Sequence, residues 1–178
     1  MDRRTFAVST LGLLALSGCR KDPAKSLYGK RLPSFPASLI DGAGINLASL
    51  GRPAIVRFWG LWCGPCRIDE PYWDEVVRAL RLQNMSEPRF DLLSVHIGLP
   101  PRDGPSLTAW AASRAPEVAV PIVDDRTQRL TQAIGVPGTP LVLLVDEIGQ
   151  ILDHAWAFKS SRGAARFVGK AQEFVGSR

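Results

Sequence analysis

The sequence predicts an α/β fold in which helices cover both faces of a mixed β-sheet. Two observations support this prediction: short β-rich runs alternate with stretches of helical periodicity, and the last two β-rich runs flank a turn. The chain has 178 residues, of which 46% are hydrophobic and 22% are charged. This is enough for one core and one domain, which we expect to span residues 31–178.

The first half of this domain predicts a hairpin, a strand and a long helix. Ser34–Ile40 and Ile45–Leu47 flank a turn at residues 41–44, which is typical of a small hairpin. Ala54–Trp59 is rich in β-forming residues and is expected to be a buried strand. Residues 65–83 carry apolar side chains at spacings of three and four, which indicates a helix.

The second half continues the alternation and ends in a hairpin and a helix. Gly135 is expected to close one of its helices. The expected elements are a strand at Phe90–Ile97, a helix at Ser106–Arg114, a strand at Val118–Val123, a helix at Thr127–Ile134, strands at Leu141–Asp146 and Gln150–Phe158 around a turn at 147–149, and a helix at 161–175.

Residues 1–18 are typical of an export signal. Arg3 and Arg4 precede an apolar run, Phe6–Leu16, that is too short to cross a bilayer as a transmembrane helix. The same start also resembles a twin-arginine export signal. The mature domain is therefore expected outside the cytoplasm, where disulfides form and persist.

Cys19 follows Leu16-Ser17-Gly18, and this stretch resembles the lipobox of bacterial lipoproteins. In such proteins the cysteine is lipidated and becomes the new N-terminus. We expect lipid on Cys19 to anchor the protein to a membrane of the cell envelope, facing the periplasm or the exterior, with residues 19–30 as a polar tether. The alternative is an ordinary secretory signal with an incidental cysteine.

The charge pattern gives no argument for nucleic-acid binding. The formal net charge of +5 comes from residues of both signs that are interspersed along the chain. A mild basic excess favours acidic or membrane-surface partners, whereas a nucleic-acid site requires a clustered basic stripe. We therefore expect no nucleic-acid partner.

The stretch FWGLWCGPCRIDEP, residues 58–71, contains Cys63 and Cys66 in C-x-x-C spacing. A tetrahedral zinc site would need further ligands. The remaining cysteine belongs to the signal, and the two histidines, His96 and His154, are far apart in strand patterns, with His96 expected near solvent at a strand end. A static disulfide would stabilise the fold only weakly, because so short a loop closes little chain entropy. We expect neither a metal nor another cofactor.

A reversible redox pair has positive support from its position after a strand and at a helix start. A thiol at a helix N-terminus faces free backbone N–H groups and the positive end of the dipole, so the pKa of Cys63 is expected below the free-cysteine value of about 8.5. Pro65 fits the first helical turn, where its missing N–H costs nothing. Cys63 is then the attacking thiol, and Cys66 resolves the mixed disulfide.

Residues 62–66, WCGPC, match the thioredoxin active-site motif letter for letter, and residues 58–60, FWG, and Pro71 fit the same family. With the export signal and the early hairpin, the chain resembles the membrane-tethered thioredoxin-like reductases of the TlpA and ResA type over about residues 30–178. The resemblance implies a thioredoxin-like fold with an N-terminal hairpin extension and thiol–disulfide oxidoreductase activity. It also implies that Trp62, Gly64 and Pro65 contact the substrate.

The same resemblance implies a second half of the site at residues 135–140, GVPGTP. Thioredoxin-like proteins carry a cis-proline at the start of a strand beside the cysteines, and Pro140 occupies that place. Such bonds are uncommon. Thr139 would then expose its backbone for pairing with an extended substrate strand, while Pro137 is assigned to the turn. The alternative for Pro140 is an ordinary turn proline.

Charged residues mark where this chain departs from the family. Arg57 stands six residues before Cys63, where thioredoxins carry a buried Asp, and Asp69 replaces a Glu of the tethered relatives. Asp69 shares a helix face with Cys66 and is a candidate acceptor for its proton. We expect Arg57 to pair with Asp69, or failing that with Glu70, and so to tune the thiols. The alternatives are a solvated Asp69 and an Arg57 that reaches water from a sheet edge.

The expected function is thiol–disulfide exchange outside the cytoplasm, in the reducing direction. Gly-Pro between the cysteines resembles the reducing members, near about −270 mV, rather than a strong oxidant near about −120 mV. A reductase in an oxidising compartment needs a membrane thiol reductant protein as electron donor. Its substrates would be disulfide-containing exported proteins, such as apocytochromes in cytochrome c biogenesis or copper-site proteins. The alternatives are a copper chaperone and a non-enzymatic binding domain with the same fold.

Overall fold

Five strands form the central sheet of the computed structural model, which describes residues 21–34, 36–84 and 89–176. These five strands are β3 (Ala54–Trp59), β4 (Asp91–Ile97), β5 (Ile122–Asp125), β6 (Leu141–Val145) and β7 (Ile151–Trp156). Two further strands, β1 (Pro36–Ser38) and β2 (Gly44–Asn46), precede them. The helices are α1 (Gly64–Asn84), α2 (Leu107–Ala112), α3 (Arg129–Ile134) and α4 (Ser161–Gly176), and a 3₁₀-helix (Pro23–Leu27) precedes β1.

The sheet mixes parallel and antiparallel strands in the order β5-β4-β3-β6-β7. β3, β4 and β5 run parallel, whereas β6 is antiparallel to both β3 and β7. β1 and β2 form a separate antiparallel hairpin before the sheet. The predicted α/β class, mixed sheet and N-terminal hairpin are confirmed.

Apolar residues on both faces of the sheet bury it between two layers. Ile55 and Leu144 face α1 and α4 on one side. Val56 and Phe58 face α3 and the N-terminal segment on the other side. β3 is therefore buried along its whole length, and this includes the charged residue Arg57.

β5 begins at Ile122, later than the predicted start at Val118, so the predicted strand bounds were wrong. Pro121 has no N–H to donate to a sheet, and proline is tolerated only at the margin of a strand. Its carbonyl accepts the N–H of Ser94 at 2.9 Å, immediately before the β4–β5 ladder begins. The carbonyl of Ala119 is bound by Arg81 instead of by a neighbouring strand.

The segment before β1 packs on the domain, whereas the sequence suggested a free tether up to residue 30. Ala24 and Leu27 lie one turn apart in the 3₁₀-helix, and both are fully buried. The N–H of Gly29 donates to the carbonyl of Ile151, and the N–H of Ile151 donates to the carbonyl of Lys30. The described part of the expected tether therefore covers the edge strand β7.

Replacing Leu27 with Ala is expected to lower the free energy of unfolding by about 2–5 kcal/mol, because it empties a fully buried site. Lys25→Ala in the same 3₁₀-helix is the control, since an exposed side chain should contribute less than about 0.5 kcal/mol. Urea unfolding followed by tryptophan fluorescence measures both. Equally small effects would show that the segment is a loose tether after all.

Candidate active site

Cys63 and Cys66 form a disulfide at the start of α1, with an Sγ–Sγ distance of 2.09 Å. The two residues are only 4% and 1% exposed. Their neighbours are more open, because Trp62 and Pro65 are exposed and Gly64 is half-buried. The three residues predicted to contact the substrate thus frame a shielded disulfide, and their role in binding stays a prediction.

The loop before β6 forms the other side of the site. The Thr139–Pro140 peptide bond is cis, as predicted. Thr139 Oγ1 donates to Cys63 Sγ at 3.4 Å, and the backbone N–H of Cys66 donates to the same sulfur at 3.2 Å. When the pair is reduced, both donors stabilise a thiolate on Cys63, which favours Cys63 as the attacking sulfur. Pairing of the Thr139 backbone with a substrate stays a prediction.

Arg57 lies in the middle of β3 with its side chain fully buried beneath α1. Its Nη2 is 3.2 Å from Asp69 Oδ2, and its Nη1 is 2.8 Å from Glu70 Oε2. Nη2 also donates to the carbonyl of Cys66 at 3.2 Å. The predicted pair with Asp69 is present, and Glu70 is an additional partner rather than a substitute. The burial rules out an Arg57 that reaches water.

Two tryptophans enclose the guanidinium of Arg57. Its Cζ lies 5.6 Å from the ring centre of Trp59 and 5.3 Å from that of Trp73. Such cation–π contacts partly replace the hydration that a buried cation loses. β3 and α1 are therefore joined beneath the cysteines by ion pairs, a hydrogen bond and ring contacts.

Asp69 is buried and held on both of its oxygens. Oδ1 accepts the N–H of Phe158, and Oδ2 accepts from Arg57. Burial raises the pKa of Asp69, and the opposing effects of Arg57 and of the Phe158 N–H are smaller. A raised pKa makes this carboxylate a stronger proton acceptor than an exposed Asp. Its role as the acceptor of the Cys66 proton stays a prediction, but a solvated Asp69 is excluded.

Glu70 extends the buried charges toward the surface. Its Oε1 is 3.2 Å from Arg114, which also binds Asp74. Glu70 lines a cavity of about 480 Å³ together with Cys66, and also a second cavity of about 250 Å³ beside Arg114. We refer to this group as the ion cluster; its members are Arg57, Asp69, Glu70, Arg114 and Asp74.

His96 is fully buried at the C-terminal end of β4, whereas the sequence suggested a position near solvent. Its Nε2 accepts the N–H of Leu61, two residues before Cys63, at 3.1 Å. One signal could have identified it, because functional residues in open α/β sheets gather at the carboxyl ends of parallel strands. His96 stands at such an end, paired with Trp59 of β3.

Cys19 lies outside the described residues, so its lipidation stays a prediction. Within residues 21–34, 36–84 and 89–176, no helix combines the length and apolarity needed to cross a membrane. In the same described ranges, His, Cys, Asp and Glu side chains form no group of three or more that could hold a metal ion.

Arg57→Asn is expected to lower the free energy of unfolding by about 3–5 kcal/mol, because Asp69 loses its buried cation. Asp69→Asn should cost less, since Glu70 still faces Arg57. Arg57→Asn should slow alkylation of the reduced thiols and Asp69→Asn should speed it, because a cation favours thiolate and an anion opposes it. A double-mutant cycle on both measurements should show that the two changes do not add.

Arg52 and Asp91 are the matched control for this cycle. Their atoms approach to 2.8 Å, but the side chains are 49% and 31% exposed. An exposed pair should show a coupling of only about 0.2–1 kcal/mol and no effect on alkylation. Additive effects of Arg57→Asn and Asp69→Asn would show that the buried pair does not act on the thiols.

Two curated relatives of the chain carry the same name, although no family model matches the chain. Thiol-disulfide oxidoreductase ResA of Geobacillus thermodenitrificans is 28% identical over 124 residues, which are 69% of this chain and 66% of the relative. ResA of Bacillus thuringiensis is 25% identical over 145 residues, which are 81% of this chain and 78% of the relative.

Solved structures show the same fold. An uncharacterized thioredoxin-like protein of Porphyromonas gingivalis has a TM-score of 0.60 and 22% identity, covering 84% of this chain and 94% of its own. StoA of Bacillus subtilis has a TM-score of 0.55 and 20% identity, covering 77% of this chain and 98% of its own. The exposed lipoprotein thioredoxin Etrx1 of Streptococcus pneumoniae has a TM-score of 0.56 and 19% identity, covering 78% of this chain and 99% of its own. With its cysteine pair at disulfide distance, the chain is a thiol–disulfide oxidoreductase of thioredoxin-like fold and a homologue of the ResA proteins.

Proposed function

We propose that the chain is an exported, membrane-anchored reductase that passes electrons from a membrane thiol reductant protein to disulfides of exported proteins. The observation that carries this proposal is the shielded Cys63–Cys66 pair, with Gly64-Pro65 between the cysteines and hydrogen-bond donors converging on Cys63. Donors aimed at one sulfur favour a thiolate there, ready to attack a disulfide.

The exchange proceeds in two steps that balance. The Cys63 thiolate attacks one sulfur of the substrate disulfide, so that a mixed disulfide forms and the departing substrate thiolate takes a proton. Cys66 then loses its proton, attacks the Sγ of Cys63 and releases the second substrate thiol. The substrate gains two electrons and two protons, and the Cys63–Cys66 pair becomes a disulfide. A dithiol of the reductant protein restores the pair by the same chemistry in reverse.

The docking of the N-terminal segment supports an enzyme whose active site faces its anchor. Asp22 Oδ1 accepts from Trp156 Nε1 at 3.0 Å, and Asp22 Oδ2 lies 2.8 Å from His154 Nε2. Trp156 pairs with Leu141, the residue after Pro140. Asp22 therefore contacts the same end of the sheet as the one at which β3 leads into the cysteines, and an anchor before Asp22 would bring them near a reductant in the membrane. Among similar structures, Etrx1 is itself named an exposed lipoprotein.

The proposed substrates are exported proteins whose cysteines must be reduced before they bind a cofactor, namely apocytochromes in cytochrome c biogenesis or copper-site proteins. A Cys66→Ser variant should remain joined to its substrate through Cys63, because the resolving thiol is missing. Mass spectrometry of the trapped complexes from cells identifies the partner. Cys63→Ser is the control and should trap nothing, and an equal yield from both variants would refute the assigned roles.

The reduction potential should lie near the reducing end of the scale, at about −270 mV rather than about −120 mV. Equilibration with glutathione or dithiothreitol buffers measures it, with insulin reduction as an activity assay. A potential near that of a strong oxidant would contradict the proposed reductase function and favour an oxidase. Copper titration of the reduced protein tests the copper-chaperone alternative.

The mature protein from its native host should begin at Cys19 and carry a lipid there. Mass spectrometry of the native N-terminus and partition into detergent measure this modification. Cys19→Ala should leave the protein unlipidated and outside the detergent phase. A wild-type product that begins at another residue would show that the cysteine is incidental.

A further inference from the structure

His96 is a buried titratable side chain that the exchange chemistry does not use. It lies fully buried on β4 and meets the ring of Trp59 edge to face, with ring centres 5.2 Å apart. Its Nε2 accepts the backbone N–H of Leu61 at 3.1 Å. Leu61 belongs to the loop of residues 60–62 that leads from β3 to Cys63, so the histidine contacts the chain directly before the attacking cysteine.

A second contact fixes the same loop to the end of β4. Trp62 Nε1 donates to the carbonyl of Ile97 at 2.7 Å. The indole lies so close to Gly60 that a Cβ there would be 2.5 Å from Nε1, so a larger residue would displace the ring. The last two residues of β4 therefore hold the middle and the end of the loop, His96 through Leu61 and Ile97 through Trp62.

Only the neutral ring of His96 can make the bond to Leu61. Nε2 must be unprotonated to accept, which places the single ring proton on Nδ1. A doubly protonated ring would present N–H to N–H and break the contact. The amide of the buried residue Leu61 would then lack an acceptor, which destabilises the loop conformation.

The surroundings of His96 keep the ring neutral near pH 7. Burial lowers the pKa of His96, against smaller opposing effects of Asp124 and the backbone of Gly98. Asp124 lies opposite His96 on β5 and is itself paired with Arg126. This face of the sheet also carries the ion cluster, in which Arg57 and Arg114 are paired with the carboxylates of Asp69, Glu70 and Asp74.

We propose that His96 is a positioning residue: its neutral ring holds the backbone of Leu61, and thereby presents Cys63 for thiol–disulfide exchange. This role applies to exchange in either direction, so it does not depend on the proposed reductase function. On acidification, protonation of the ring should release the loop and slow exchange.

The first test follows the amide resonance of Leu61 in the oxidised full chain, where neither Cys63 nor Cys66 titrates. This resonance should move in a single step as the pH falls below about 6.5, the ordinary histidine value. Because the pKa of His96 is lower in the folded chain than in the unfolded chain, the neutral ring stabilises the fold fully above the unfolded-state pKa. This stabilisation is lost as the pH falls toward the folded-state pKa. His96→Gln should abolish the step, because an amide can accept from Leu61 but does not titrate.

The second test compares exchange rates of the reduced variants with one protein disulfide. His96→Leu, which has no acceptor, should slow the attack by Cys63 about fivefold, the equivalent of one hydrogen bond. His96→Gln should stay within about twofold of wild type. His154→Gln is the matched control, because it changes the chain's second histidine on β7 and should leave both the rate and the Leu61 resonance unchanged.

The outcomes separate positioning from simple packing. A Gln variant as slow as the Leu variant, or a Leu variant as fast as wild type, would overturn the proposal. So would a Leu61 resonance that stays constant with pH, or one that still moves in His96→Gln. If His96→Leu does not fold, the titration and the Gln variant still decide the question.

Discussion

The need to neutralise one buried cation sets the position of the redox helix on the sheet. Arg57 projects from β3 into the interior, and α1 supplies two carboxylates and the carbonyl of Cys66 as its partners. A buried charge that loses its partner is strongly unfavourable. α1 therefore cannot slide or rotate on β3 without breaking these contacts, and the disulfide at its start is fixed with it.

Separate parts of the chain then converge on Cys63 within this frame. The loop from β3 is held on the end of β4, α1 contributes the N–H of Cys66, and the loop before β6 contributes the hydroxyl of Thr139. All of them meet at the C-terminal ends of β3 and β4, where open α/β folds assemble their sites. Of the two sulfur-bearing residues, Cys63 is 4% exposed and Cys66 1% exposed, which agrees with Cys63 as the attacking residue.

The sequence predicted what depends on neighbouring residues or on a short motif. The C-x-x-C pair at a helix start, the cis-proline and the contact of Arg57 with Asp69 all follow from local spacing combined with a known family pattern. The contacts of Leu61 with His96 and of Asp22 with Trp156 could not be predicted in this way. They join residues far apart in the chain, and the tertiary fold alone brings such residues together.

The predicted bounds of the weaker elements were wrong for a related reason. The apolar residues from Val118 onward are β-forming by composition, but Pro121 and the hydrogen bonds of Arg81 decide where the ladder with β4 can start. The segment around Leu27 looks polar in sequence, because only Ala24 and Leu27 face the core. Two buried residues one turn apart are too weak a pattern to separate a docked segment from a linker.

The ion cluster also limits how much negative charge the site can hold. With every member ionised, its two arginines and three carboxylates leave one net negative charge. Burial raises the pKa of both Asp69 and Asp74, with an arginine opposing the shift in each case. A thiolate on Cys66 would add a second negative charge to a poorly hydrated region. The predicted transfer of the Cys66 proton to Asp69 would avoid this second charge, because the negative charge gained by the sulfur replaces one lost by the carboxylate, which Arg57 holds in place until then.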